Sequence, residues 1–155
     1  MLSASAFAPA QAAEKQKLSA SAIQIAMVDA GGIQIPAEFR FAMYEQLVDR
    51  VSKSGAFQKV YRIGDHASDG VPDLVTLHTT VAGFKEGNQT VRELTTVLGG
   101  TSVDILASVT ARDGHELMSR KITGRVRFFG ENLGVTNDLA KKIAKPVREA
   151  FLAGH

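Results

Sequence analysis

The chain has no cysteine, which excludes disulfides, thiolate nucleophiles, thiolate zinc sites and iron–sulfur clusters together. Within these 155 residues there is likewise no cysteine of the kind that a bacterial lipoprotein acylates as its anchor. There is no apolar run near the roughly 20 residues that a membrane-spanning helix needs. Charge of one sign is not in excess either: 18 Lys and Arg face 16 Asp and Glu. A formal charge of +2 gives no strong global field to collect nucleic acid or anionic lipid. What is present is ordinary globular material, 45% hydrophobic and 22% charged over 155 residues, enough for one domain with a real core.

The first residues, Met1 to Ala13, are small and uncharged, with an Ala-x-Ala step at Ala10 and Ala12 and charges from Glu14 onward. That is the pattern of the back half of a secretory signal with its cleavage site, lacking the basic start. The expectation is a truncated signal remnant over 1–13, a single α+β domain over 19–153, and a periplasmic or secreted location. The competing reading is an Ala/Ser-rich tail on a cytosolic protein.

Further along, Ile23, Ile25 and Met27 alternate as one side of a strand running from Ser21 to Val28. Pro36 suits a helix start, and Phe39, Met43, Leu47 and Val51 give that helix an apolar stripe up to Ser54, with Gly55 closing it. A short strand follows over 57–63, then the polar loop 64–70. The next strand, 74–84, places Val75, Leu77 and Val81 on one face and Thr76, His78 and Thr80 on the other. The segment 90–98 fits a short helix or a strand, and Gly99-Gly100 ends it. From Val103 apolar and polar residues alternate up to Asp113-Gly114, a dipeptide favoured in two-residue hairpin turns. That turn sets Arg112 against His115, Val109 against Met118 and Ile105 against Ile122, with apolar side chains sharing a face. Asp104, Ser108, Thr110, Lys121, Thr123, Arg125 and Arg127 fall on the other face, which reads as solvated.

A last helix spans 136–152 with Leu139, Ile143, Val147 and Phe151 as its stripe; Pro146 removes one of its hydrogen bonds and predicts a kink near Lys142. The order β-α-β-β-β-β-α predicts an α+β fold: a mixed or mostly antiparallel sheet of about five strands with both helices on one face.

Chemistry is sparse. Asp65, His66 and Asp69 share a loop and are the candidates for a metal-dependent hydrolase, yet no His-x-His, His-Glu-x-x-His or calcium-loop spacing accompanies them. A solvated loop histidine accounts for His66 as well. His78 sits among threonines on a polar strand face, His115 in a hairpin turn and His155 at the end of the chain. No serine occupies a nucleophile elbow, and Gly99-Gly100 lacks the Lys-Ser/Thr of a phosphate loop. The last third is the most basic: Arg120, Lys121, Arg125, Arg127, Lys141, Lys142, Lys145 and Arg148 could meet a polyanion or an anionic lipid, or could simply be solvated faces. Base-stacking aromatics are missing from them, so nucleic acid is not expected.

Pro72-Asp73-Leu74 opening a strand, then Gly87, Arg92, Gly99-Gly100, the strand from Val103, Asp113-Gly114 and a closing amphipathic helix resemble a family of uncharacterised bacterial envelope proteins. That family is a domain of unknown function with many lipoprotein members, and the resemblance covers roughly 23–151. More distantly the order of elements is similar to the periplasmic domain of the curli-secretion channel lipoprotein and to lipoprotein activators of penicillin-binding proteins. The resemblance implies a noncatalytic role in the envelope and supplies no catalytic residues; the missing cysteine departs from the lipoprotein members.

The functional expectation is therefore an exported, noncatalytic interaction module with no cofactor or metal. It would bind another envelope protein or itself through Leu94, Val97 and Leu98 or through the hairpin face at Lys121, Arg125 and Arg127. A periplasmic small-molecule or polyanion-binding protein is the alternative.

Overall fold

The computed structural model describes residues 18–85, 101–126 and 134–152. The chain runs through β1 (Ala22–Ile25), α1 (Ala37–Lys53), β2 (Lys59–Arg62), a 3-10 turn (His66–Ser68), β3 (Val75–Lys85), β4 (Thr101–Thr110), β5 (Glu116–Val126) and α2 (Gly134–Leu152). The sheet order is β2-β1-β3-β4-β5. β1 lies parallel to both its neighbours, and β3, β4 and β5 are antiparallel. The fold is thus α+β with a mixed sheet, in the expected order of elements. Parallel neighbours need long crossovers. Here α1 joins β1 to β2 and the stretch 63–74 joins β2 to β3.

The core forms where the two helical stripes meet one face of the sheet. Phe39, Met43, Leu47 and Val51 of α1 are buried, as are Leu139, Ile143, Val147 and Phe151 of α2. They pack over Ile23, Ile25, Val75, Leu77, Val81, Val103, Ile105, Ala107 and Val109. Phe57 belongs to this core rather than to a strand, with its ring centroid 4.9 Å from that of Phe151. The strand expected over 57–63 is correspondingly shorter.

Local chemistry sets the element ends. The Pro36 carbonyl accepts from the Phe39 and Arg40 amides, so the fixed φ of Pro36 opens α1. The Ser54 hydroxyl donates to the Val51 carbonyl at 2.6 Å, and Gly55 takes the left-handed conformation beyond it. Asp73 secures the start of β1: its carboxylate accepts from the Ser21 amide at 2.7 Å and the Ser21 hydroxyl at 2.6 Å. Those two donors hold the Asp73 carboxyl below the usual carboxylate range.

Two sequence expectations change at irregularities in the ladder. Met27 does not continue the side of Ile23 and Ile25. Pairing in β1 ends at Ile25 and resumes where the Asp29 amide donates to Thr79 and the Val81 amide donates to Asp29, so Val28 is buried and Met27 exposed. One residue of slip moves a side chain to the other face. The hairpin turn also differs. Gly114 N donates to the Ala111 carbonyl and Ala111 N to His115, which makes the loop Arg112, Asp113 and Gly114. Thr110 therefore faces Glu116, and a register shift at that point restores Val109 opposite Met118 and Ile105 opposite Ile122. The expected pairing survives along the strands because the shift absorbs the longer turn.

Candidate functional site

Among the described residues the second face of the sheet carries no α-helix. The 63–74 crossover covers its β2–β1 end, where Ser68 is buried against Gln24 with Gln24 Nε2 at 3.3 Å from Ser68 Oγ. The Ser68 hydroxyl donates in turn to the Asp65 carbonyl at 2.7 Å. Arg112, reaching across from the hairpin, donates to the carbonyls of Asp69 and Val71. Between crossover and hairpin lies an open cleft of about 420 Å³ lined by Gln24, Ser68, Asp69, Thr76, Thr110 and Arg112. Beside it His78 Nε2 is 3.0 Å from the Thr110 hydroxyl. These polar groups are largely spent on one another and on backbone, so they brace the crossover.

The loop triad separates in the same way. Asp65 Oδ1 accepts from the Ala67 amide at 2.9 Å and caps the short 3-10 turn. His66 Nδ1 lies 3.3 Å from Asp69 Oδ2, and both side chains project into solvent. Asp65 is oriented for capping and not toward that pair. Among the described residues no three His, Cys, Asp or Glu side chains converge as metal ligands would.

Of the expected interaction residues, Lys121 and Arg125 are exposed on the helix-free face of β5. Lys121 Nζ is 4.0 Å from Asp104 Oδ2, and Asp104 also accepts from the Thr123 hydroxyl. Leu94, Val97, Leu98 and Arg127 lie outside the described residues.

A surface that the sequence reading missed stands at the opposite end of the sheet. Among the described residues the exposed large hydrophobics are Met27 (41%), Phe41 (61%), Ile63 (50%) and Leu106 (45%). Leu106, on β4, points away from the two helices. The other three gather at one end, because β1 and β2 run parallel and α1 returns against them. Met27 and Ile63 follow the C-terminal ends of β1 and β2, and Phe41 lies in the first turns of α1. Next to them the Arg62 guanidinium donates to both Glu45 carboxylate oxygens, at 2.5 and 2.8 Å. That pair of hydrogen bonds from a cation holds the Glu45 carboxyl below its usual range and the guanidinium above its own. The Tyr44 hydroxyl accepts from the Ile63 amide at 3.0 Å, fixing the strand end to the helix. The signal was present in the sequence: Phe41 is a large aromatic lying off the 39-43-47-51 stripe.

No family model matches the sequence, and no curated protein matches it. Solved structures do share its fold. The PelC dodecamer from Paraburkholderia phytofirmans is 12% identical, over 82% of this chain and 88% of that one, with a TM-score of 0.61. A Xanthomonas campestris protein of family DUF330 is 13% identical, over 89% of this chain and 87% of its own, with a TM-score of 0.56. A hypothetical protein from Chlamydia trachomatis is 12% identical, over 86% of this chain and 99% of its own, with a TM-score of 0.57. The likeness to a domain of unknown function read from the turns and strands holds at the level of the fold.

Proposed function

We propose that this protein is a noncatalytic, exported envelope component that works by associating with copies of itself. The observation that carries the reading is the apolar end of the sheet, where Phe41 and Ile63 stand exposed with Met27 nearby. Exposed apolar residues gathered in one place mark partner surfaces. The braced geometry beneath them, with Tyr44 bonded to the Ile63 amide and Arg62 to Glu45, holds the patch in a fixed shape before contact. A fold shared with a protein crystallised as a dodecamer supports self-association as the mode. The helix-free hairpin face at Lys121, Arg125 and Arg127 and the segment at Leu94, Val97 and Leu98 are proposed as further contact surfaces. The signal-like first residues support export, and no helix among the described residues is long and apolar enough to cross a membrane. The spent polar groups of the cleft and the dispersed Asp65, His66 and Asp69 favour a binding role over catalysis.

Sedimentation velocity across a concentration series tests the association. Wild type should sediment as an oligomer, and Phe41→Ser with Ile63→Ser should shift it to monomer with an unchanged circular dichroism spectrum. A wild-type monomer at every concentration would remove the proposal. An oligomer indifferent to those substitutions, but lost with Leu94→Ser and Leu98→Ser, would move the interface to that segment.

A further inference from the structure

The net charge of +2 conceals a polarised molecule. Residues 18–74, which build β1, α1, β2 and the crossover, carry seven acids against five bases. β5 and α2 together carry three acids against seven bases. The excess divides evenly, two charges on β5 and two on α2, and on α2 three cations line the outward side with Glu149 exposed beside them. Val135, Leu139, Ile143, Val147 and Phe151 face the core, so Lys141, Lys145 and Arg148, at helical spacings of four and three, share the opposite side and are exposed. None of these three has an ion-pair partner among the described residues. Lys142, by contrast, is held by Asp138 at 2.7 Å and by the Thr123 carbonyl at 3.1 Å. With about 1.5 Å of rise per residue, the three free cations make a line roughly 10 Å long. Arg120, exposed on the adjoining edge strand, extends the same field.

We infer that this outward side of α2 docks on the headgroups of an anionic lipid bilayer, lying on the surface without insertion. The stripe has no aromatic side chain to stack on a base, since Phe151 is buried, and no apolar residue to enter the acyl region between its cations. It also lies in no cleft that would select one shaped ligand. Long flexible cationic stems along a convex helix suit a broad sheet of negative charge, which they can meet without fixed geometry. Each cation near an anionic leaflet contributes about 1 kcal/mol, so three together give roughly a hundred-fold partitioning over a neutral bilayer. Screening over about 8 Å at physiological ionic strength makes that attachment weak, reversible and salt-sensitive. This inference stands apart from self-association, although several copies held together would multiply it through their combined contacts.

The test is co-sedimentation of the purified protein with vesicles of phosphatidylcholine alone or with one-third phosphatidylglycerol. The expected result is binding to the phosphatidylglycerol vesicles only, falling with added salt. Lys141→Gln, Lys145→Gln and Arg148→Gln together should reduce it roughly a hundred-fold while the circular dichroism spectrum stays unchanged. Lys121→Gln with Arg125→Gln, on the other face of the sheet, should leave most of it intact. Equal binding to neutral vesicles, no binding to anionic ones, or binding indifferent to the triple substitution would overturn the inference. So would retention by heparin without vesicle binding, which would assign the stripe to a soluble polyanion.

Discussion

Substituting Gly124 with alanine probes how β5 carries α2. Gly124 is a mid-strand glycine with no need for a left-handed backbone, so its lack of a side chain must matter for packing. A Cβ placed there would lie 2.4 Å from Leu139 Cγ, 2.7 Å from Leu139 Cδ2 and 3.1 Å from Val135 Cγ2. Carbon atoms in contact settle about 3.5–4.0 Å apart, so Leu139 must retreat by roughly 1 Å or the helix must lift. Leu139 is fully buried between Val135 and Ile143 and has little room to move. Overpacking of this kind costs about 1–3 kcal/mol, offset by roughly 0.4–1 kcal/mol because alanine narrows the unfolded ensemble. The expected net loss is about 1 kcal/mol, or a melting temperature lower by roughly 2–4 °C for a chain this size. Urea denaturation followed by circular dichroism measures it. Leu139→Ala alone should cost about 2–5 kcal/mol, but less when alanine at 124 partly fills the space left, so the pair should couple favourably by about 1 kcal/mol. A Gly124→Ala protein as stable as wild type, or strictly additive costs in the pair, would refute the packing argument.

Other substitutions test other parts of the fold. Thr79 is buried on the helix side of β3 and its hydroxyl has no hydrogen-bond partner among the described residues, so Thr79→Val should raise stability by about 1 kcal/mol in the same denaturation assay. Gly31 holds φ at +62° with its hydrogen aimed at the Val81 carbonyl, which a Cβ would approach to 2.4 Å. Gly31→Ala should therefore cost about 3 kcal/mol or more, detectable as a large fall in melting temperature. Asp73→Ala should cost about 1 kcal/mol at neutral pH, discounted for the exposure of the site. Because the folded carboxyl titrates below its usual value, that stabilisation is complete above the unfolded pKa and fades as pH falls through the folded one. Wild type and Asp73→Ala should accordingly converge in stability toward the acid end of a pH series.

The architecture was readable where side chains keep a strict period over many residues. Phe39 to Val51 and Leu139 to Phe151 recur at helical spacing, and Val103 to Val109 alternate, so burial on one side left little freedom in assigning them. The reading slipped where backbone hydrogen bonds decide. Met27 continues the alternation of Ile23 and Ile25, yet the Asp29 amide and carbonyl bond to β3 and turn Val28 inward instead. Likewise Asp113-Gly114 signalled a turn correctly, while the bond from Gly114 to Ala111 made the loop one residue longer on the Arg112 side. The exposed end of the sheet escaped notice for a different reason. Met27, Phe41 and Ile63 are far apart in sequence, and only the parallel pairing of β1 with β2 brings their ends together. The basic last third was legible in the sequence, and the fold adds that Lys141, Lys145 and Arg148 share the outward side of α2.

Every functional reading here depends on the envelope as the compartment. The most direct test is to express the gene with its natural upstream region in a Gram-negative host, fractionate the cells, and sequence the N-terminus of the mature protein. Export predicts a periplasmic or envelope-bound product beginning at Ala13 or Glu14. A cytosolic product that retains Met1 would contradict it.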